Sequence, residues 1–175
     1  MENINLGKIV LCSAIFFTSN LFSNNFIDYS DLTTKLKIEA KEKGNIASTE
    51  DVKKALVSSD WAVIDIRTIT EWNAAHIKGS IRVGRQTPEK ALSNIVLDDN
   101  DRFIKDKLIV ICNTSSRASI EAEIFRKMGF SKVKIYSMTT WIDGCNPFYN
   151  KYSRKKDKHG SKQKFGAFKP AFCYK

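Results

Sequence analysis

The 175-residue sequence predicts an α/β domain: a parallel-stranded sheet flanked by helices, with an N-terminal signal segment and a basic C-terminal extension. Three observations carry this. The run KLIVIC at 107–112 is apolar without alternation, as a strand buried on both faces must be. Further short apolar runs, WAVIDI at 61–66 and KVKIY at 132–136, stand apart from it by segments of helical spacing. The two ends of the chain differ from this middle in composition. With 42% hydrophobic and 11% aromatic residues, the chain is too apolar for full-length disorder and unlike a collagen or a multi-span membrane protein.

Taken in order, Lys8 precedes the apolar run IVLCSAIFF at 9–17, which is too short to span a bilayer and has the form of a signal-peptide core. Residues 1–23 are read as a signal segment cut after Ser23, or as an uncleaved anchor, which places the protein in the periplasm or on the inner membrane. Leu11, before Cys12, is too large for a lipoprotein processing site. Residues 24–45 are polar with scattered apolar positions and read as a linker or loose helix. Ser48 is placed to cap a helix, with Asp51 three positions on to reach back, and Val52, Ala55 and Leu56 form its apolar stripe. The strand at 61–66 follows, then a second short strand around Ile81 and a helical pattern over 88–104, interrupted by acids at 98–101. After the central strand, Ala118, Ala122, Phe125 and Met128 mark one face of a helix that Gly129 is placed to end. The strand at 132–136 completes the domain, read as residues 46–149.

The charge sits in the tail. Residues 150–175 hold nine basic residues and one acid, so they carry +8 of the net +10. A globally basic nucleic-acid-binding domain is therefore not expected. With Phe165, Phe168, Phe172 and Tyr174 interleaved, the tail suits an anionic surface or an acidic partner, or simply wraps on the domain through its aromatic residues.

The chemistry is expected at Cys112. It closes the central strand, and open parallel sheets bind ligands at the carboxyl ends of their strands. Asn113, Thr114, Ser115 and Ser116 then form a short polar loop that enters a helix at Arg117. Such a turn aims several backbone N–H groups and a helix dipole at one point, which favours a thiolate and lowers the thiol's pKa. Arg117 can bind an oxyanion in bidentate fashion. The predicted chemistry is attack by Cys112 on an anionic substrate, with a covalent intermediate on sulfur. Two histidines and no Cys-x-x-Cys pair leave no zinc spacing, and no cofactor is expected.

Two segments now resemble one family, the single-domain rhodaneses. AVIDIRTITEWNAAHIKGSIRV contains the family's Asp-x-Arg, Glu-aromatic and His-Ile-x-Gly run, here Asp65, Arg67, Glu71, Trp72, His76, Ile77 and Gly79. IVICNTSSRASIEAEIFRKMGFSKVKIY is similar to its active-site loop, following helix and next strand. The resemblance implies a sulfurtransferase: a persulfide on Cys112, a sulfane-sulfur anion such as thiosulfate as donor, and a thiol, a protein thiol or cyanide as acceptor. The loop N–H groups, with Asn113, Thr114, Ser115 and Ser116, would hold the terminal sulfur.

Asp65, Arg67, Glu71 and His76 are read as structural support: an ion pair that organises loops, the first turn of a short helix, and a histidine bonded to loop backbone. Two departures stand out. Ser115 replaces the common loop glycine, and only glycine enters positive φ freely, so a distorted cradle is expected. Met138 and Thr139 replace paired glycines after the last strand, although Trp141 matches the aromatic that follows. Related cysteine phosphatases place five residues between Cys and Arg; the four here leave less room for a phosphate.

After export, Cys112, Cys145 and Cys173 remain, which suggests one bridge and one free thiol. The preferred pair is Cys145 with Cys173, which leaves Cys112 free; the alternative is a thiol redox protein using Cys112 with Cys145. The third reading is a non-catalytic binding module on the same fold.

Overall fold

The computed structural model describes residues 26–98, 100, 102–151, 155–157, 160–162 and 167–174. The signal segment read over 1–23, and part of the basic tail, lie outside these residues. Among the described residues no helix is long and apolar enough to cross a membrane.

Four strands, β1 (Trp61–Asp65), β2 (Ile81–Arg82), β3 (Lys107–Cys112) and β4 (Lys132–Ser137), form one sheet in the order β2-β1-β3-β4. Every pairing in it is parallel. The helices are α1 (Tyr29–Glu42), α2 (Thr49–Leu56), α3 (Ile69–Ala74), α4 (Pro88–Val96), α5 (Ser116–Lys127) and α6 (Met138–Asp143). The register sets Asp65 opposite Ile111 and Cys112 opposite Ser137, so the ends of β1, β3 and β4 share one edge of the sheet.

The central strand explains the absence of alternation. Leu108, Val110 and Cys112 join one core cluster with Leu92, Ala118, Ala122 and Phe125 from α4 and α5. Ile109 and Ile111 join the other with Val52, Tyr136, Met138 and Trp141. Successive side chains point to opposite faces, and both faces are covered.

Ser48 caps α2 as a reciprocal box: its side chain accepts from the Asp51 N–H, and Asp51 accepts from the Ser48 N–H, each at 3.0 Å. The helical pattern over 88–104 is shorter than the sequence suggests. Pro88 starts α4, which stops at Val96; the Asp98 carboxylate then accepts the N–H groups of Asn100 and Arg102 at 2.9 Å and turns the chain. Gly129, at φ +98°, follows the end of α5.

The segment 24–45, read as a linker or loose helix, holds a 14-residue helix packed against α5. Asp28 caps it, accepting from the Asp31 N–H at 2.9 Å. Only Thr33 and Ala40 are buried on it, while Phe26, Tyr29 and Ile38 are exposed. Small residues make the contact, so hydropathy carries little trace of it. Beyond α1, Ile46 bridges Ile135 in parallel and covers the open side of β4.

At the other end, β5 (Phe148–Tyr149) pairs antiparallel with β8 (Ala167–Phe168). A short 3₁₀ helix, Ala171–Tyr174, follows, and Cys173 within it is disulfide-bonded to Cys145. A separate small ladder, β6 (Lys155–Asp157) with β7 (Gly160–Lys162), lies between them in sequence.

Candidate active site

Cys112 is the last residue of β3, 1% exposed, and a free thiol. The chain leaves the sheet there and enters α5 at Ser116 within three residues. The first N–H groups of a helix have no acceptor inside it, so this corner presents donors at the carboxyl end of the strand.

The corner turns on Ser115, whose φ of 64° and ψ of −5° are left-handed. The sequence leads one to expect a distorted cradle at a serine; instead Ser115 adopts the conformation a glycine would take. A non-glycine residue there costs about 1–2 kcal/mol. Burying Phe125 completely, on the same helix, is worth up to about 3 kcal/mol. The docking of α5 therefore outweighs the strain at its entrance. The Ser115 carbonyl accepts the Ser119 N–H at 2.8 Å, which starts the helix.

Asn113 is the loop's anchor. Its carbonyl accepts from the Thr139 N–H at 3.2 Å, the Thr139 hydroxyl at 2.9 Å and the Ser137 hydroxyl. Thr139 is one of the two residues read from the sequence as departures from paired glycines, and the hydroxyl it brings holds the loop. The Asn113 side chain spans two charged groups: Oδ1 accepts from Arg67 Nη1 at 3.2 Å, and Nδ2 donates to Glu71 Oε1 at 2.7 Å. The sequence marks it as a substrate-binding residue. Its amide is already engaged on both sides by the framework, which leaves it a positioning part.

Arg67 and Asp65 form a buried bidentate pair, 3.0 Å from Nε to Oδ1 and 2.7 Å from Nη2 to Oδ2. Arg67 also donates to the Ala75 carbonyl at 2.6 Å, tying the end of α3 to the sheet. Glu71 does more than start a helix. It completes a capping box with Thr68 and receives Arg117, Nη2 to Oε1, at 2.8 Å. Burial pushes its carboxyl up, but the hydrogen bonds from Arg117 and Thr68 outweigh that and hold it down to about 2. Arg117 is raised in turn: desolvation by burial pulls it down, and the Glu71 carboxylate more than offsets this.

Two of the five guanidinium donors on Arg117 are used by Glu71. The same residue lines a cavity of about 120 Å³ with Ile66, Arg85 and Glu121. Thr114 is exposed, and its hydroxyl lies 3.4 Å from Ser116 Oγ.

His76 makes its own contacts beside this group. Its ring stacks on Trp72, with centroids 3.6 Å apart, and Nδ1–H donates to the Trp72 carbonyl at 2.9 Å. Burial lowers its pKa, against the opposing pull of the Trp72 carbonyl, and so favours the neutral ring. Its backbone exchanges hydrogen bonds with Tyr149, at 2.9 and 2.8 Å, joining the active-site side of the domain to the tail ladder.

Lys37 belongs to the site and sequence reasoning missed it. It reaches from α1 to place Nζ 3.3 Å from Ser116 Oγ, at the first residue of α5. No local signal marks it, because its position follows from how α1 docks. The disulfide between Cys145 and Cys173 leaves Cys112 as the free thiol among the described residues, so Cys145 is not open to pair with it.

A family model described as "Rhodanese-like domain" matches residues 48–141. Over 90 residues the chain is 28% identical to a "tRNA uridine(34) hydroxylase" of Staphylococcus saprophyticus, covering 51% of this chain and 28% of that protein. Over 82 residues it is 32% identical to "Putative sulfur carrier protein YrkF" of Bacillus subtilis, covering 46% of this chain and 40% of that one. The chain thus spans less than half the length of either relative. Among solved structures it is similar to the polysulfide-sulfur transferase homodimer of Wolinella succinogenes. That match has a TM-score of 0.52 and 24% identity over 70% of this chain and 90% of that one, a likeness of fold.

Proposed function

The chain belongs to the rhodanese-like domain family, and from that premise we propose that it is a sulfurtransferase working through a persulfide on Cys112. The observation that carries this reading is a free cysteine ending a parallel strand, followed by a left-handed turn into the N-terminus of α5. The Cys112 thiolate attacks the outer sulfur of a sulfane-sulfur anion such as thiosulfate. A new S–S bond forms, the donor's S–S bond breaks, and sulfite leaves with the electron pair. A thiolate or cyanide then attacks the outer sulfur of Cys112. It departs as a persulfide or as thiocyanate, and the Cys112 thiolate is restored. Loop N–H groups, the α5 dipole, Arg117 and Lys37 stabilise the negative charge at each stage.

We further propose that the protein works outside the cytoplasm. The apolar run at 9–17 and the Cys145–Cys173 disulfide both favour an exported chain, and the basic tail suits an anionic surface or acidic partner there.

The test is incubation with thiosulfate followed by intact mass spectrometry. The expected result is a gain of one sulfur atom, absent in Cys112→Ser. No adduct with thiosulfate, polysulfide or an organic persulfide would overturn the proposal and leave a binding module on the same fold.

A further inference from the structure

The family match ends at residue 141, and the described parts of the extension beyond it converge on one element, α3. Just past the end of that helix, the Tyr149 N–H donates to the His76 carbonyl at 2.8 Å, and the His76 N–H donates to the Tyr149 carbonyl at 2.9 Å. Within the helix, the Asn73 carbonyl accepts the Lys151 N–H at 2.8 Å. The Lys151 ammonium lies 4.6 Å from the centroid of the Trp72 ring, on which His76 is stacked. Tyr149 in turn takes the Lys78 ammonium over its ring, 5.6 Å from the centroid.

That helix depends on outside holds. It has six residues, none of them buried, and none belongs to either core cluster. A helix so short does not persist by its own hydrogen bonds. The domain supplies the Thr68 cap and the bond from Arg67 to the Ala75 carbonyl. The extension adds the bonds from Tyr149 and Lys151.

The position of α3 matters because Glu71 is on it. That carboxylate receives Arg117 at 2.8 Å and Asn113 at 2.7 Å, so a shift of α3 carries both with it. Arg117 is also within electrostatic reach of the nucleophile: burial pulls its pKa down, Glu71 more than offsets that, and Cys112 adds to the upward pull. The hold of the extension is itself closed by a covalent bond. β5 and β8 are two residues each, too short a ladder to stand alone, and the Cys145–Cys173 bridge ties the chain before β5 to the chain after β8.

We propose that residues 145–151 and 167–174 form a strap that positions Arg117 through α3, and that the Cys145–Cys173 disulfide makes the affinity of the Cys112 site for anions depend on its redox state. This rests on the reading of Cys112 as a nucleophile toward an anionic donor. A dithiol opens the strap. One of its thiolates attacks a sulfur of the bridge, and the second closes on the mixed disulfide. Two electrons and two protons pass to Cys145 and Cys173, and the dithiol becomes a disulfide. β8 then loses its tether, β5 its partner, and α3 the bonds from Tyr149 and Lys151, so Arg117 is no longer fixed beside the sulfur.

The test uses two alkylating agents of like size on the full chain, iodoacetate and iodoacetamide, with each rate followed by mass spectrometry at the peptide that carries Cys112. Both need the thiolate, so the ratio of their rates cancels the thiolate fraction and reports the positive charge beside the sulfur. Cys145→Ser combined with Cys173→Ser is expected to lower the iodoacetate-to-iodoacetamide ratio about three- to five-fold, the size of one partly exposed charge contact. The KM for thiosulfate should rise to match, with kcat little changed. Wild-type protein reduced with dithiothreitol and then freed of it should give the same ratio. Should the double variant fail to fold, Tyr149→Pro carries the test: it removes the N–H bonded to His76, keeps the disulfide and every charge, and should lower the ratio in the same direction. A ratio unchanged in the double variant, or in Tyr149→Pro where that variant stands in, would overturn the proposal whatever the denaturation midpoints. Thiosulfate loading of wild-type Cys112 separates the two readings. Loading with an unchanged ratio sinks the strap alone, whereas a failure to load sinks sulfur transfer while the ratio still decides the strap.

Discussion

The Glu71 carboxylate lies 2.8 Å from the Arg117 guanidinium, and the oxygen that receives it also accepts from Asn113 Nδ2 at 2.7 Å. One carboxylate thus fixes both ends of the Cys112 loop. Its pKa of about 2, against an ordinary 4.5, means that the folded protein binds the proton more weakly than the unfolded chain. The stabilisation is complete above pH 4.5 and is lost as the pH falls toward 2. Urea midpoints measured across that window should drop for the native protein, and Glu71→Gln should be less stable at pH 7 with a flatter profile below 4.5. A variant with an unchanged acid limb would show that the pair contributes nothing.

Ser115→Gly should stabilise the protein by about 0.5–1 kcal/mol, because relief of the left-handed φ exceeds the extra entropy glycine brings to the unfolded chain. Ser115→Val should destabilise it by more than that, since a β-branched residue tolerates positive φ poorly. Equilibrium urea unfolding of the two variants gives the comparison.

Lys37→Ala should raise the KM for thiosulfate about three- to five-fold and change kcat little, the effect of removing one partly exposed cation from beside an anion site. The shift should shrink as ionic strength rises. A fall in kcat at constant KM would place Lys37 in the chemical step instead.

Cys173→Ser should cost roughly 3–4 kcal/mol in the chain-entropy model, since the bridge closes a loop with a sequence separation of 28. The loss should be visible as a lower denaturation midpoint, and wild-type protein held in a reductant should match the variant. A midpoint indifferent to both treatments would mean that the tail adds nothing to the stability of the domain.

Much of this architecture was legible in the residues. The unbroken apolar run ending at Cys112 is a consequence of coverage on both faces, and Ser48, Asp51 and Gly129 mark helix ends by local chemistry alone. What was not legible depends on tertiary docking. The helix over 29–42 buries small residues and exposes its large ones, so neither it nor Lys37 stands out in hydropathy. Glu71 and Arg117 lie 46 positions apart, and no local pattern joins them. Asn113 reads as a polar loop residue free to meet a ligand; only the fold shows its amide clasped between Arg67 and Glu71. At Ser115 the rule that glycine is preferred was sound, but the helix behind it imposes the backbone regardless.

The three donors gathered on the Asn113 carbonyl govern more than that one oxygen. A trans peptide is flat, and its N–H points opposite to its C=O. With the carbonyl clamped toward the β4–α6 corner, the Thr114 amide must face the other way, and inverting the plane would break every one of those bonds at once. On the proposed reading, in which loop N–H groups receive the outer sulfur, this donor is aimed before any sulfur arrives, and no reorganisation of this peptide is left for the transfer to drive.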